Sequence, residues 1–253
     1  MTLMPPDAFL KMTYALGLPE RDYIIIGEGN TSCRIDSDSF WIKASGQQMH
    51  NIAPEGFTAV QFAPILAMLD NPPQTLTEQN AIMKAAQLDS SARLPSVEVS
   101  FHAMLLAEGE PYGLRYVGHT HPTAINQILC GDMAETFARN RLFPDEVVLC
   151  GPESPLVPYV DPGLPLALAI REQWRAYIAQ YGEPPKLLLL ANHGLIALGT
   201  TPGEVLNVTA MAVKAARTFV GALSIGKPVF MSREDILHIY KRPDEIYRRA
   251  GFV

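Results

Sequence analysis

Two histidines close together are the first residues in this sequence that suggest chemistry. His119 and His121 stand two positions apart at the end of an apolar segment, just before Pro122. On a strand, residues two apart project to the same face, so their imidazoles would lie side by side at the strand end. Two such imidazoles can bind one divalent cation at about 2.0–2.1 Å. The alternative is a pair of surface or hydrogen-bonded histidines.

A third histidine occupies a similar place. His193 follows the apolar run Leu187–Leu190, between Asn192 and Gly194. Asn and Gly favour turns, so His193 could simply belong to a turn. A cation held by two histidines needs a third ligand, however, and His193 is the histidine that also stands at a predicted strand end. The other three histidines fall in helical or loop segments: His50, His102 and His238.

A carboxylate precedes a predicted helix. Ser96 is expected to cap this helix, and Glu98 then falls in its first turn, where the helix dipole favours a negative charge. The alternative role is chemical, because catalytic cation sites commonly combine histidines with a carboxylate. His102, one turn after Glu98, is either its hydrogen-bond partner or a structural histidine.

Two glycine-containing loops could bind an anion. The first is Gly27–Ser32 and the second is Lys43–Gly46. Such turns expose consecutive backbone N–H groups, to which Asn and Ser side chains add hydrogen-bond donors. Each is equally compatible with an ordinary hairpin turn.

The bulk properties exclude several classes of protein. A net charge of −6 without any run of Lys or Arg argues against a nucleic-acid partner. Three scattered cysteines give neither a disulfide framework nor a thiolate zinc site. The N-terminal residues do not have the pattern of a signal peptide, and the longest apolar run, Leu187–Ala191, is too short to span a bilayer. We therefore expect a cytoplasmic protein with no membrane association.

Short apolar strands alternate with amphipathic helices along the chain, which predicts an α/β protein. No linker or repeat divides it, so we expect one domain over 1–253, with a core at about 7–225 and a helical tail at 226–253. Thr201 and Glu204 form a predicted capping box. The predicted helices are Pro6–Leu16, Pro54–Leu69, Thr77–Leu88, Val97–Leu106, Pro122–Ile128, Leu164–Gln180 and Pro202–Leu223. The predicted strands are Tyr23–Ile26, Ser32–Ile35, Phe40–Lys43, Tyr116–His121, Val147–Leu149, Lys186–Asn192 and Leu195–Leu198.

The combination of motifs resembles the class II aldolase/adducin family. The chain carries, in the family's order, GNTS at 29–32, KASG at 43–46, PSVE at 95–98, HTHP at 119–122 and NHG at 192–194. The resemblance covers about residues 7–225. It implies a three-layer α/β/α domain with a central, largely antiparallel sheet. It also implies a homo-oligomer, usually a tetramer, with active sites near the subunit interfaces.

The resemblance also implies roles for single residues. In the family's aldolases the matching residues bind zinc: His119, His121, His193 and Glu98. The resemblance makes Glu98 the acid–base group as well, and Mn²⁺ or Co²⁺ could replace Zn²⁺. The matching residues for a substrate phosphate are Asn30, Ser45, Gly46 and Ser96. Val97 stands where fuculose-phosphate-type enzymes have another serine, and this variant is closer to aldolase domains fused to short-chain dehydrogenases. A carboxylate or a free sugar could therefore replace the phosphate.

The resemblance predicts a metal-dependent carbon–carbon lyase with a small sugar or sugar-phosphate substrate. It would cleave a ketose or ketose phosphate by a retro-aldol reaction, through an enediolate stabilised by the metal. One alternative is a metal-dependent decarboxylase of a keto or hydroxy acid, which also forms a metal-bound enolate. The other is a non-catalytic, adducin-like interaction protein. A tyrosine is also expected to act at the leaving aldehyde, with Tyr159 and the C-terminal tyrosines as candidates.

Overall fold

A mixed sheet of seven strands forms the centre of the protein. The computed structural model describes residues 3–250. The strand order is β3-β2-β1-β4-β7-β6-β5, and every neighbouring pair is antiparallel except β5 and β6. The strands are β1 (Asn30–Arg34), β2 (Ser39–Lys43), β3 (Phe57–Gln61), β4 (Tyr116–Thr120), β5 (Leu156–Val157), β6 (Leu187–Leu190) and β7 (Gly194–Gly199).

Helices cover both faces of this sheet. They are α1 (Asp7–Leu16), α2 (Phe62–Asp70), α3 (Leu76–Ala85), α4 (Val99–Glu108), α5 (Thr123–Leu129), α6 (Ala134–Arg139), α7 (Pro144–Cys150), α8 (Leu164–Tyr181), α9 (Pro202–Ile225), α10 (Arg233–Lys241) and α11 (Pro243–Ala250). One apolar core lies between the sheet and α1, α5 and α9, and a second lies beneath α2, α4 and α8. The predicted three-layer α/β/α domain with a largely antiparallel sheet is confirmed.

The longest helix, α9, begins at the predicted capping box. The Thr201 hydroxyl accepts the Glu204 N–H at 3.3 Å, and the Glu204 carboxylate accepts the Thr200 hydroxyl at 2.9 Å. This helix alone, among the described residues, has the length and apolar composition to cross a membrane. Its apolar face, including Val205 and Phe219, is buried in the core against β7, α5 and α7.

Three predicted elements are wrong. Tyr23–Ile26 is an irregular loop whose Tyr23 carbonyl accepts the His121 N–H at 2.9 Å. Val147–Leu149 lies inside α7, because Pro144 at its first position and the following acidic residues start a helix. Pro54–Leu69 is a short 3₁₀ turn, then strand β3, and only then helix α2. Neither α6 nor the two-residue strand β5 is predicted by the sequence.

Helices α10 and α11 occupy the segment predicted as a helical tail. Ile236 of α10 is buried against Val147 of α7. The Arg233 guanidinium lies 3.6 Å from the Glu153 carboxylate, and the Tyr240 hydroxyl donates to the Glu183 carboxylate at 2.5 Å. The tail is therefore packed on the domain through apolar and polar contacts. Arg248 and Arg249, at the end of the predicted helical tail, have side chains outside the described residues.

Candidate functional site

The centre of the sheet brings distant segments together at one end. Strand β4 lies between β1 and β7, so its C-terminal end is flanked by the start of β1 and by the turn before β7. Asn30 is the direct partner of His119 across the β1–β4 ladder. Paired residues of an antiparallel ladder share one face, and here α4 covers that face. This arrangement places Asn30, His119 and the beginning of α4 around one point.

The three histidines form a compact cluster. One ring nitrogen from each of His119, His121 and His193 lies within 4.8 Å of the others. The Nε2 atoms of His119 and His121 are 2.9 Å apart. Two nitrogens that share a tetrahedral cation at 2.0–2.1 Å would be about 3.3 Å apart. The cluster therefore has the dimensions of three ligands around one ion.

The tautomer of His119 is fixed by the backbone. Its Nδ1 lies 2.9 Å from the Leu195 carbonyl oxygen, which can only accept a hydrogen bond. Nδ1 therefore carries the proton, and the lone pair of Nε2 faces the cluster. A backbone carbonyl behind a histidine is a common support for a metal ligand, because it orients the ring.

The turn that carries His193 depends on its two neighbours. Asn192 has a left-handed backbone with φ of 55°, a conformation that asparagine tolerates better than most residues. A Cβ on Gly194 would lie 2.5 Å from the Thr120 oxygen and 2.7 Å from Cδ2 of His121. Only glycine leaves room for the His121 ring at this point. Asn126 of α5 completes the turn by donating to the His193 carbonyl at 3.0 Å.

Glu98 reaches the cluster from α4. Its Oε2 lies 3.4 Å from His119 Nε2, and its Oε1 lies 3.5 Å from His193 Nε2. The helix begins at Val99, so Glu98 occupies the N-cap position and not the first turn, and its side chain makes no capping bond. Ser96, the predicted cap, lies further out and accepts the Glu98 N–H at 3.4 Å. The Glu98 carboxylate therefore faces the histidines and not the helix end.

One oxygen of this carboxylate has no partner. Oε1 of Glu98 is buried and accepts no hydrogen bond from any described residue. A buried carboxylate oxygen without a partner is costly, because it loses its hydration. Together with three convergent imidazole nitrogens, it forms the donor set that Zn²⁺ prefers in catalytic sites. The residues present therefore fit a divalent cation.

A buried hydrogen-bond network lies behind the carboxylate. Asn30 Nδ2 donates to Glu98 Oε2 at 2.6 Å and to Ser96 Oγ at 3.1 Å. Asn30 Oδ1 pairs with Nε2 of His102, whose Nδ1 lies 2.7 Å from Ser32 Oγ. His102 therefore does not bond to Glu98 directly but reaches it through Asn30, and no local sequence pattern predicts this relay.

Burial keeps the imidazoles of His102, His119 and His121 neutral. Desolvation and neighbouring His193 lower the pKa of His119 to about 3. Desolvation, together with His119 and His193, lowers the pKa of His121 to about 3. Desolvation also lowers the pKa of His102 well below its ordinary value. Neutral imidazoles are the form that binds a cation, because a protonated nitrogen has no lone pair to donate.

The predicted anion loops lie beside this network. Ser45 and Gly46 are exposed in a turn after β2, and the Ser45 N–H donates to the Leu94 carbonyl at 2.9 Å. Lys43 is buried and donates to the Gln47 carbonyl at 2.6 Å and weakly to that of Gly27 at 3.4 Å. Desolvation lowers the pKa of Lys43 to about 8, against the opposing effect of Glu98. The ammonium group thus links both glycine loops near the carboxylate.

Two residues at the site have no counterpart among the predicted ones. Asn126 supports the His193 turn, as described above. Glu28 has its Oε2 3.9 Å from Nδ1 of His121 and accepts the Ile25 N–H at 2.9 Å. Both lie on a cavity of about 280 Å³ next to His121. Their positions follow from the loop at 22–29 folding over α5, which periodicity does not reveal.

Comparison with solved structures supports the fold. The chain superposes on the N-terminal class II aldolase domain of a conserved protein from Thermoplasma acidophilum with a TM-score of 0.65 and 24% identity, covering 87% of this chain and 96% of that one. An L-fuculose 1-phosphate aldolase superposes with a TM-score of 0.67 and 16% identity, covering 94% of this chain and 97% of that one. YgbL of Escherichia coli superposes with a TM-score of 0.66 and 20% identity, covering 92% of this chain and 96% of that one. It is described as an aldolase, epimerase or decarboxylase.

Sequence comparison identifies the family to which the chain belongs. An uncharacterized oxidoreductase of Bacillus subtilis, YuxG, is 26% identical over 202 residues, which are 77% of this chain. This chain matches only 26% of the length of YuxG. The family model for the class II aldolase and adducin N-terminal domain matches residues 12–220. The chain therefore belongs to the class II aldolase and adducin family.

Proposed function

We propose that this protein is a metal-dependent aldolase that cleaves a ketose or ketose phosphate by a retro-aldol reaction. The observation that carries the proposal is the unpaired, buried Oε1 of Glu98 beside three convergent imidazoles. Oε2 of this carboxylate accepts from Asn30 at 2.6 Å, but Oε1 has no donor among the described residues, and the two oxygens lie 3.4 and 3.5 Å from nitrogens of His119 and His193. A buried carboxylate in this state needs a positive charge to balance it. A divalent cation supplies that charge.

The ligands in this proposal are His119, His121, His193 and Glu98. When bound, a cation such as Zn²⁺, Mn²⁺ or Co²⁺ supplies Lewis-acid stabilisation for negative charge that develops on the substrate oxygens. Backbone contacts hold His119 and His193 on either side of Glu98. These side chains therefore need little rearrangement to act together, which is a condition for an efficient site.

Glu98 is the acid–base group in the proposal. Its Oε1 faces the cluster and makes no protein hydrogen bond, so a proton can be taken or returned at that oxygen. The loops at Asn30, Ser45–Gly46 and Ser96 would bind the charged end of the substrate, and buried Lys43 adds positive charge beneath them. Tyr159, which is 58% exposed, remains the candidate for the leaving aldehyde.

A decarboxylase of a keto or hydroxy acid is the second candidate. One observation favours it: Val97 presents an apolar side chain, 55% exposed, beside Ser96. An apolar group there offers no donor to a phosphate, and a carboxylate substrate needs fewer donors. A non-catalytic, adducin-like role is the third candidate, but it gives no reason for four potential ligands to lie together.

We further propose that the protein is a homo-oligomer, such as a tetramer, in the cytoplasm. Support comes from the exposed apolar side chains on the loop beside the site. Ile25 is 62% exposed and Ile26 is 76% exposed. Contiguous exposed apolar groups mark contact surfaces more often than free surface. Analytical ultracentrifugation would measure the subunit number directly.

Metal analysis tests the cation. The purified protein, dialysed against trace Zn²⁺, Mn²⁺ or Co²⁺, should retain about one ion per chain by mass spectrometry. A cation content near zero after each of these treatments would reject the metal-dependent mechanism.

A substrate screen tests the reaction. Dihydroxyacetone phosphate or dihydroxyacetone is incubated with simple aldehydes, and β-keto acids are incubated alone, with products identified by mass. An aldol adduct supports the aldolase, and loss of CO₂ supports the decarboxylase. Glu98→Gln should lower turnover by roughly 10²–10⁴-fold. Glu172→Gln, on the exposed surface of α8, is the matched control and should leave turnover unchanged.

A further inference from the structure

The network behind Glu98 has a direction that chemistry alone fixes. Asn30 Nδ2 is the only group of that amide that can donate to the Glu98 carboxylate, so Oδ1 must point the other way. Oδ1 accepts from its neighbour, and that neighbour is Nε2 of His102. Nε2 therefore carries the proton. The remaining nitrogen, Nδ1, must accept, and Ser32 Oγ at 2.7 Å donates to it.

All four residues of this hydrogen-bond network are protected from water. Ser32 and His102 are fully buried, Asn30 is 4% exposed and Glu98 is 6% exposed. Burial also holds His102 neutral, because desolvation lowers its pKa well below the ordinary value. A protonated His102 would donate from both nitrogens, and its bond from Ser32 would be reversed. The neutral ring keeps the order Ser32, His102, Asn30, Glu98.

The other groups facing this ring do not disturb that order. Phe101 stacks on the ring at 4.4 Å between centroids and offers no acceptor. His119 is the titratable group that acts on the pKa of His102, and it does so in the same direction as burial. Neither neighbour offers His102 an alternative partner for its Nε2 proton.

We infer that His102 is a positioning residue, which locks the Asn30 amide so that its NH₂ group binds Oε2 of Glu98 and leaves Oε1 free. If the amide turned over, its oxygen would face the carboxylate, and its NH₂ group would face the Nε2 proton of His102. Both contacts would be repulsive. His102 therefore selects which carboxylate oxygen is available to the histidine cluster.

The lock also changes the expected role of Asn30. The family resemblance assigns this side chain to the substrate phosphate. Both N–H groups of Asn30 are already used, one by Glu98 at 2.6 Å and one by Ser96 at 3.1 Å. A substrate anion can recruit Asn30 only by replacing one of these acceptors. Asn30 thus serves first to orient Glu98.

The hydrogen-bond part of this inference is independent of the reaction, and nuclear magnetic resonance tests it. In metal-free protein labelled with ¹⁵N-histidine, the His102 ring should show the Nε2–H tautomer throughout pH 5–9. The resonance is assigned by its loss in His102→Gln. An Nδ1–H tautomer, or conversion to imidazolium within this range, would overturn the inference.

The effect on Glu98 is tested with a pair of variants. A glutamine at position 102 can donate to Asn30 and accept from Ser32, whereas a leucine can do neither. His102→Leu should weaken binding of Zn²⁺ by roughly 10- to 100-fold, the range typical of lost outer hydrogen bonds, and His102→Gln should restore most of it. Affinity is measured by competition with a chromophoric chelator. Equal affinities in the two variants would contradict the lock.

The statement about turnover rests on the proposed function. With an aldol substrate, His102→Leu should lower kcat by roughly 10- to 100-fold while KM changes less than threefold, and His102→Gln should recover activity. Ser32→Ala, a smaller change, keeps the test decisive if His102→Leu does not fold, because it frees Nδ1 and should produce a weaker loss of the same kind. A wild type without any turnover would reject the proposed function, while the tautomer and the Zn²⁺ affinities would still decide the lock.

Discussion

Two buried polar clusters among the described residues differ in one respect. In the first, at the end of β4, Glu98 keeps an oxygen without any partner among the described residues. In the second, between α6 and α7, Arg141 is 2% exposed and donates from all five of its N–H groups. Its acceptors are Ala138, Asn140, Cys150 and Gly151 by their carbonyls and Ser154 by its hydroxyl.

The difference separates a structural cluster from a candidate functional one. Arg141 also lies 3.8 Å from Glu146, whose other oxygen accepts the Leu142 N–H at 2.8 Å. A satisfied cluster of this kind ties a loop to a helix and has no bond left for a ligand. The cluster at Glu98 leaves its bonds incomplete, as expected where a ligand completes them.

The largest effect is expected at the incomplete cluster. His119→Ala removes a central ligand and should abolish retention of a divalent ion, with loss of any turnover that the wild type shows. The free energy of unfolding of the metal-free protein, measured in urea, should change proportionally less than turnover, because the variant loses a single hydrogen bond to the backbone, that of Nδ1 to the Leu195 carbonyl. Full metal content in this variant would contradict the assignment. His238→Ala, at an exposed histidine of α10, is the control.

A substitution in the Arg141 cluster should lower the stability of the protein and leave its metal content unchanged. Arg141→Met leaves the buried Glu146 carboxylate without its ion-pair partner and leaves several carbonyl groups without the guanidinium donor. Breaking such a buried pair costs about 3–5 kcal/mol of unfolding free energy. Urea denaturation measures this change, and metal content per folded chain should stay the same. A variant as stable as the wild type would show that the guanidinium is not structural.

Acid should destabilise the metal-free protein through its buried histidines. Burial lowers the pKa of His119 to about 3, whereas an unfolded histidine takes up a proton below about pH 6.5. The unfolded state therefore binds more protons in the window from 6.5 to 3, and stability falls as pH decreases through it. His119 alone should cost on the order of 1.5 kcal/mol between pH 6.5 and 5.

Chemical denaturation at several pH values measures this slope. His119→Gln should reduce this slope, because the substituted side chain does not titrate while buried His102 and His121 still do. His238→Gln, at an exposed position of α10, is the control. An unchanged slope in His119→Gln would show that this imidazole is protonated equally in both states.

The smallest effect is expected at Val97. Val97→Ser adds a hydroxyl donor beside Ser96 without touching either buried cluster. If the loops at Ser45 and Ser96 bind a phosphate, one new charge-assisted bond should raise kcat/KM for a phosphorylated substrate by up to roughly tenfold relative to its unphosphorylated form. The ratio for dihydroxyacetone phosphate and dihydroxyacetone measures this preference. An unchanged ratio would place the substrate anion elsewhere.

Apolar periodicity predicted an α/β protein and most of its helices, because burial is periodic in them, whereas the three layers and the antiparallel sheet were implied by the family resemblance. They failed where one apolar run contains two elements. From Phe57 to Leu69 the residues are almost all apolar, the first four are all buried, and only the pairing of this segment with β2 shows that strand β3 comes first. At 147–149 a β-branched pair suggested a strand, although Pro144 and the acidic first turn favour the helix that forms.

The site divides in the same way. Motif order was enough to name the four side chains that the fold brings together, and their role as ligands stays a prediction. The relay from Ser32 to Glu98 could not be predicted from the sequence, because it depends on the register between β1 and β4 and on the position of α4 above the sheet. The support of Asn126 for the His193 turn joins residues far apart in the chain. Neither contact produces a local pattern in the sequence from which it could be predicted.

The order of the strands also governs when the histidine cluster can first exist. The chain is synthesised from its N-terminus, and β4 emerges with His119 and His121 long before the turn that carries His193. The cluster closes only when β7 has emerged and paired with β4, and non-local pairings of this kind form slowly. A nascent chain that ends before β7 therefore presents two histidines and no third. Closure of the cluster marks the completion of the central sheet.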